Sequence, residues 1–553
     1  QAATCRNYSP ASMRMKPMGM TINEAEFGAA SMAQWTDMAW RILKGAAPDS
    51  LDRIDEDGLV TAALYPVASD DTTTQFLPAD PARRLTAGWH VCQPMPGDAT
   101  SAQCRAVLEN GATALLLRTA DTGALAAQLE GVVLPAIGIG FEGDAATPDH
   151  YHTLMALASE RGDDAGLLGI DLGLDPLHAL AAGLALHAEA PAAHRLFRVD
   201  GWSWHNRGLT AAQELGLITA GLAAMLRGAD SAGLNAGDIA SRASVRLALP
   251  ADSFAGVAAC RAMRRLWDGL LSACGIAPTP LVLGGYASLR MMSLLDAEVN
   301  MLRTTTALLG GAIGGADLMT GFGHDLLTGE SDAGQRTARL VQVMMMAESG
   351  LSASLDPASG SPFIEQRTED LATAGWAAFQ AIEAAGGLAD AIDSGMIEDQ
   401  AEAASARREQ RLRAGDSDLL GVTLQPVAGP VPDANAEFAG ISRPAAIVEH
   451  LRRTALASPP RLLILRGASD SAAGEERAMR RLLAMAGLQP VILGADEAEA
   501  ITAARPDVVI GCGMTAVPHG LAAGSFRAAA SILDSGDRLG CLEEMIGSKG
   551  GTA

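Results

Sequence analysis

The stretch RLFRVDGWSWHNRGLTAAQELGLITAGLAAMLRGADSAGLNAGDIASRASVRLAL (195–249) reads as one complete strand–helix–strand unit. Arg195-Val199 is a short run that predicts a strand. Residues 209–227 are rich in Ala and Leu and predict a helix, and Ala243-Leu249 is the next apolar run. Two strands joined through a helix lie parallel, because a crossover this long is not a hairpin. The same rhythm extends in both directions. Upstream strands are predicted at Gly88-Cys92, Ala114-Arg118, Val132-Gly138 and Leu167-Leu172, and downstream ones at Leu281-Tyr286 and Ala316-Gly321. Helical stretches fall between them at 98–110, 121–130, 176–187, 252–273, 291–312 and 331–348. Eight strands alternating with helices predict an α/β chain with a closed (β/α)8 barrel of the TIM type rather than an open sheet.

Beyond the barrel, residues 362–412 read as further helix, with Trp376, Phe379 and Ile382 spaced for one face. Gly421 to Asn435 holds Pro426, Pro430 and Pro432 among few charges and reads as a linker. The rhythm then restarts with a helix near 444–456, a strand at Arg461-Arg466 and a helix at Gly474-Gly487. Further strands follow at Val491-Gly494, Val508-Gly511 and Ala529-Leu533. This is a small C-terminal flavodoxin-like (Rossmann-like) domain, short for that fold. The organisation read from the sequence is a tail over 1–34, an extension over 35–84 suited to a partner subunit, the barrel over 85–420, a linker over 421–440 and the second domain over 441–553. For the start of the chain, Met18 or Met20 and a genuine tail are equal alternatives.

The chain has 553 residues, with 41 Lys and Arg against 64 Asp and Glu, for a formal charge of −23. That length allows two to four domains. The acidic balance argues against nucleic acid, which needs a surface rich in Lys and Arg. No apolar run is long enough for a transmembrane helix, Gly131 to Phe141 being the most apolar segment. Seven scattered cysteines without a Cys-x-x-Cys pair fit a reducing, cytoplasmic compartment and give no metal framework.

Three further blocks carry a resemblance: SLRMMSLLDAEVNMLRTTTALLGGAIGGADLMTGFGHD (288–325), RTARLVQVMMMAESGLSASLDPASGSPFIE (336–365) and LATAGWAAFQAIEAAGGLADAIDSGMI (371–397). With VDGWSWHNRGLTAAQELGLITAGLA (199–223), they resemble the methylmalonyl-CoA mutase family. The resemblance runs from about residue 35 to the C-terminus. It implies an isomerase of propionate metabolism that interconverts methylmalonyl-CoA and succinyl-CoA. In that family the barrel is threaded by acyl-CoA, and a C-terminal cobalamin-binding-type domain holds adenosylcobalamin. Some members of the family are heterodimers of a catalytic large subunit and a related, non-catalytic small one.

The residues the resemblance requires are replaced. The family's cobalamin signature is Asp-x-His-x-x-Gly, whose His ligates cobalt. With Gly474 at the motif's Gly, Ser469 takes the Asp position and Ser471 the His position, while a register using Asp470 puts Ala472 at the His and loses the Gly. His450 and His519 lie elsewhere. The loop is therefore degenerate, and the ordinary reading is a βα turn with Ser471 or Asp470 as helix N-cap. In catalytic members the fifth strand ends in Gly-Tyr-His, and here it is Gly201-Trp202-Ser203, with His205 two residues on. A two-residue offset moves an imidazole by about 6–7 Å, too far for a catalytic group. The family's N-terminal Tyr-Ala-Gly-Phe segment has no match in PADPARRLTAGWHVCQP (78–94).

Ser203, His205, Asn206, Arg207 and His324 still fall at the barrel mouth, where active sites form. They read as a polar rim or partner interface in preference to a retained acyl-CoA contact. The resemblance thus implies a small subunit that binds no cofactor itself. It would stabilise a homologous catalytic large subunit that carries the adenosylcobalamin. An active mutase with a divergent site, and an orphan acyl-CoA-binding or scaffold protein, are the alternatives. The Met344-Met346 run and Met291-Met292 read as gap-filling core, and the acidic runs 52–57 and 365–370 as solvated loops.

Overall fold

The computed structural model describes residues 31–66, 75–118, 121–142, 148–514 and 526–547. Among these, 31–53 with 60–66 form one compact unit, and 54–59 with the remainder form the other. In the first unit, helix Met32–Ile42 opens on a capping box between Ser31 and Gln34 and buries none of its residues.

The second unit is built on eight parallel strands. They are β1 (His90–Met95), β2 (Ala114–Leu117), β3 (Gly138–Phe141), β4 (Gly169–Leu174), β5 (Arg195–Asp200), β6 (Ala243–Leu249), β7 (Val282–Ala287) and β8 (Leu318–Thr320). Each pairs with its sequence neighbour, and Leu318 of β8 pairs with both Gly284 of β7 and His90 of β1, which closes the barrel. β2 and β6 are buried along their whole length, as strands enclosed by helices require. Helix Ala211–Ser231 starts from a Thr210–Gln213 capping box, and helix Pro362–Ala384 packs along it.

Past the barrel lie four more strands: β9 (Leu462–Arg466), β10 (Val491–Gly494), β11 (Val508–Cys512) and β12 (Phe526–Ala528). They form a parallel sheet in the order β10-β9-β11-β12. Alternation splits their side chains between two cores. Leu462, Ile464, Val508 and Ile510 join Met479 and Leu542 on one face, while Leu463, Leu465 and Val509 join Ile501 on the other. Leu295, Leu412 and Val422 belong to the first of these cores, so the barrel's outer helices and the linker complete it.

Several expectations shift. The third strand is Gly138–Phe141, not 132–138, because Pro135 cannot donate to a ladder and Leu134–Ala136 turns as a 3-10 helix. Residues 529–533 form a helix rather than a strand, as an Ala-rich segment with one β-branched residue favours, and the strand is the preceding Phe526–Ala528. A helix at Pro148–Arg161 precedes β4. Met345 and Met292 are core, but Met344 faces outward.

The acidic runs are not simply solvated. Glu56 sits between Arg290 at 3.1 Å and Arg408 at 2.6 Å, Asp55 pairs with Arg367, and Glu365 pairs with Arg261 at 2.7 Å. The linker is pinned: Arg452 donates to Val427 O and Asn435 N to Leu327 O, and just past its end Ser442 N donates to Asn206 O.

Candidate functional site

A cavity of about 460 Å³ opens at the C-terminal ends of the barrel strands. Its walls include Trp202, Ser203, Asn206 and Arg207, Glu330 from beyond β8, and Phe438 of the linker. Segment 435–441 crosses this mouth, held by the Asn435 N–H on Leu327 O at its start, the Ser442 N–H on Asn206 O just past its end, and a 3.2 Å ion pair from Glu437 to Arg118. Phe438 and Ile441 pack there against the barrel core.

The predicted mouth residues do not converge. Ser203 donates from Oγ to Asp200 at 2.6 Å and from its backbone N–H to the same carboxylate at 3.1 Å, so its hydroxyl is already engaged. Arg207 is exposed and lies over the Trp204 ring at 4.6 Å. Asn206 is buried, and its Oδ1 accepts the N–H groups of Leu289 and Arg290 at 3.0 Å each. Those bonds tie the turn after β7 to the turn after β5. His324 lends its carbonyl to Asn300 at 2.9 Å, and the side chain does not line the cavity.

His205 is the clearest departure. It stands on a short helix, Trp202–Arg207, rather than on a loop, and its imidazole is buried in the barrel wall. Nδ1 meets Glu214 Oε2 at 3.0 Å and Nε2 meets Ser288 Oγ at 3.0 Å. The Ser–His–Glu array has the hydrogen-bond pattern of a catalytic triad. All three side chains are buried, however, and none borders the cavity. Burial drives the Glu214 carboxyl up to about 8 and holds the His205 imidazole well below its ordinary value. Sequence reading missed Glu214 and Ser288; an acid on an otherwise apolar helical face was the available signal for Glu214.

The barrel interior below the mouth is filled by charge and aromatic rings. Arg246 of β6 reaches Glu142, just past β3, at 3.0 Å and Asp200 at 3.5 Å. Its guanidinium lies 4.2 Å from the ring centres of both Trp202 and Tyr286. Trp202 stacks in turn on Phe322 at 5.7 Å. One layer deeper, Arg198 pairs with Asp171 at 3.0 Å and donates to Phe141 O at 2.7 Å. Glu142 and Arg246 lie three strands apart around the barrel, so their pairing crosses its bore. Composition gave no sign of this plug.

At the C-terminal edge of the second sheet, the loop after β9 holds Ser469, Asp470, Ser471 and Gly474. Ser471 donates to Glu475 at 2.7 Å and its Oγ lies 3.1 Å from Ser469 Oγ. It occupies the N-cap position of helix Ala472–Met485 without a side-chain cap bond, and Asp470 is exposed. Glu475 also accepts the Gly513 N–H at 2.7 Å, bridging the loops after β9 and β11. Gly513 has φ +67°, and a Cβ there would collide with Ser469 Oγ and Ala472, so the two loops are in contact. His450 is on helix Ala445–Ala457, in a separate groove with Glu543, and His519 lies outside the described residues.

A profile described as Methylmalonyl-CoA mutase matches residues 181–428. A Mycobacterium tuberculosis protein named "Probable methylmalonyl-CoA mutase small subunit" is 32% identical over 541 residues, covering 88% of this chain and 86% of the relative. The chain belongs to the methylmalonyl-CoA mutase family. The methylmalonyl-CoA mutase small subunit of Streptomyces virginiae is 32% identical over 441 residues, covering 73% of this chain and 71% of the relative. The large subunit of Propionibacterium freudenreichii subsp. shermanii is 31% identical over 228 residues, only 40% of this chain and 31% of the relative.

Methylmalonyl-CoA mutases depend on adenosylcobalamin. The described residues at the sheet edge do not fit it. The motif's imidazole position carries a serine whose hydroxyl is bonded within the loop, and the crevice beside it is bridged by Glu475. Cobalt ligation by His requires a free ring nitrogen with a supporting acceptor behind it, and the loop supplies neither.

Proposed function

We propose that this chain is the small subunit of a heterodimeric, adenosylcobalamin-dependent methylmalonyl-CoA mutase. On this reading it is non-catalytic and stabilises a homologous large subunit that holds the cofactor. The observation that carries the reading is the pattern of similarity: the chain spans 86% of a small-subunit relative but 31% of a large one. The bore plug around Arg246 supports it further, because a threaded acyl-CoA would have to displace buried, paired charges. So does the bridged loop at Ser471. In this account Ser203, His205, Asn206, Arg207 and His324 are structural or rim residues, and Ser469, Asp470, Ser471 and Gly474 are remnants of a cofactor loop of flavodoxin-like type.

The partner-facing surface in this proposal includes the extension 35–84. Helix Met32–Ile42 exposes Met38 and Ile42 one turn apart on the same face, an apolar pair suited to burial against another subunit. The described cysteines are all free thiols, which supports a reducing cytoplasm, and no described helix is long and apolar enough to cross a membrane.

The test is co-expression with a large-subunit homologue that carries Asp-x-His-x-x-Gly, followed by size-exclusion chromatography, cobalamin absorbance and a mutase assay. A one-to-one complex that binds one adenosylcobalamin and turns over is the expected result, with this chain alone doing neither. Stoichiometric cobalamin binding by the isolated chain would overturn the reading in favour of an active, divergent mutase. Failure to associate would favour an orphan scaffold.

A further inference from the structure

A second cavity, of about 270 Å³, enters the barrel from the opposite, N-terminal end. It shares no lining residue with the mouth cavity. Its inner end meets Arg198 and Tyr286, and the Arg246 layer stands between it and the mouth, so it is blind. Gly140 helps make the room: a Cβ there would sit 3.3 Å from Leu116 and 3.4 Å from Arg198.

The charges around this cavity are unevenly satisfied. Arg83, Arg84, Arg195 and Arg198 face Asp80, Asp171 and Asp317, one positive charge in excess within a protein of formal charge −23. Three of the four guanidiniums are occupied. Arg83 bonds Gly88 O and His90, Arg84 bonds Ala312 O and Ala316 O under the Trp89 ring, and Arg198 pairs with Asp171. His90 adds no charge near neutral pH, since burial and the neighbouring Arg83 hold its imidazole down to about 4. Asp317 is committed to Arg264 at 3.1 Å and to the N–H groups of Ala79 and Leu283. Arg195 alone has no hydrogen-bond or ion-pair partner among the described residues, and its Nε is buried. A buried donor left unpaired is costly, and native proteins seldom leave one without a ligand or water.

We propose that this blind cavity binds a short-chain carboxylate, with the carboxylate on Arg195 and the hydrocarbon against Leu116 and Leu318. The planar guanidinium suits a bidentate carboxylate. One guanidinium without a partner among the described residues suits a monoanion better than a phosphate dianion, because the other three are already engaged by Asp171, His90 or backbone carbonyls. The volume lies below the range of about 300–1,000 Å³ typical of larger ligands, and the closed inner end excludes a threaded chain. The proposal does not depend on the subunit assignment.

The test is isothermal titration of the full chain with hexanoate, inorganic phosphate and coenzyme A. Arg195→Met deletes the charge at similar length. Ala193→Asp places a negative charge at the exposed rim without entering the core. Saturable hexanoate binding is expected, weakened at least about tenfold in each variant, as loss of a charge-assisted hydrogen bond implies. Both variants should keep wild-type circular dichroism, and neither phosphate nor coenzyme A should displace hexanoate. The proposal is overturned if hexanoate does not bind, if both folded variants bind it as tightly as wild type, or if phosphate or coenzyme A displaces it.

Discussion

Glu214 Oε2 stands 3.0 Å from His205 Nδ1, with both side chains buried and the opposite ring nitrogen of His205 on Ser288. The contact fastens the turn after β5 to helix Ala211–Ser231, while Glu214 Oε1 takes the Ala248 N–H of β6 at 2.7 Å. It turns the one histidine near the family's catalytic position into a structural bolt.

The pair makes stability depend on pH in a specific way. The folded state raises Glu214 to about 8, so its stabilising protonated form is lost as pH climbs from the unfolded value near 4.5 through 8. His205 is lowered, so its neutral form contributes above about pH 6.5 and is lost as pH falls below it. The two slopes oppose each other below pH 6.5, and only the Glu214 slope remains above it. Between pH 6.5 and 8 the wild type should lose about 2 kcal/mol at roughly 1.4 kcal/mol per pKa unit. Glu214→Gln should flatten that decline in urea titrations; an unchanged slope would show that the Glu214 carboxyl is not what titrates there.

Glu214→Ala should behave differently from Glu214→Gln. It strands the His205 imidazole and the Ala248 N–H in a dry wall, at a cost of about 1–3 kcal/mol for each unsatisfied group. The expected result is a melting temperature clearly below that of Glu214→Gln at pH 6.

Arg246→Met should destabilise the barrel by about 1–3 kcal/mol, because Glu142 loses its shorter ion pair and keeps only Arg118 at 3.6 Å, while the partly exposed Asp200 keeps Ser203. Adding Glu142→Gln should recover part of the loss. Equal stability of the single and double variants would mean that the ion pair across the bore contributes little.

Glu449 is fully buried. It binds Arg443 at 2.8 and 2.9 Å and takes the Leu294 N–H at 2.8 Å and the Ser293 hydroxyl at 3.2 Å. Because Ser293 and Leu294 belong to the barrel, Glu449→Ala should loosen the C-terminal domain from it. Hydrogen exchange over 421–442 should rise before the barrel strands lose protection.

Converting the degenerate loop with Ser469→Asp and Ser471→His should not create a cobalamin site, since Glu475 would still bridge to Gly513. Absorbance of the variant mixed with adenosylcobalamin should match that of the free cofactor. A shifted spectrum would show that the serines alone were the obstacle.

How much of this was legible depended on how local the cause was. The alternation of apolar runs and helical stretches gave the right number of barrel strands and located seven of the eight, because strand and helix periods are written in consecutive residues. It misplaced the third strand, where Pro135 interrupts an otherwise strand-like run. It also misread Ala529–Leu533, where a short apolar segment carries too little periodicity to separate helix from strand. At the site, the sequence located Ser203 and Ser471 but not what engages them, since Asp200 and Glu475 look like ordinary acids until the chain is folded.

By itself, then, the sequence determined the barrel, the restart of α/β rhythm after the linker, and the lack of histidine at Ser203 and Ser471. Tertiary structure alone decided that His205 points into the wall, that Arg246 seals the bore and that Arg195 is left unpaired among the described residues. The reason is range. Glu142 and Arg246 are 104 residues apart and meet only because eight strands close on themselves. The cost of burying a charge, which fixes what each of these groups can do, exists only once that closure has removed the water.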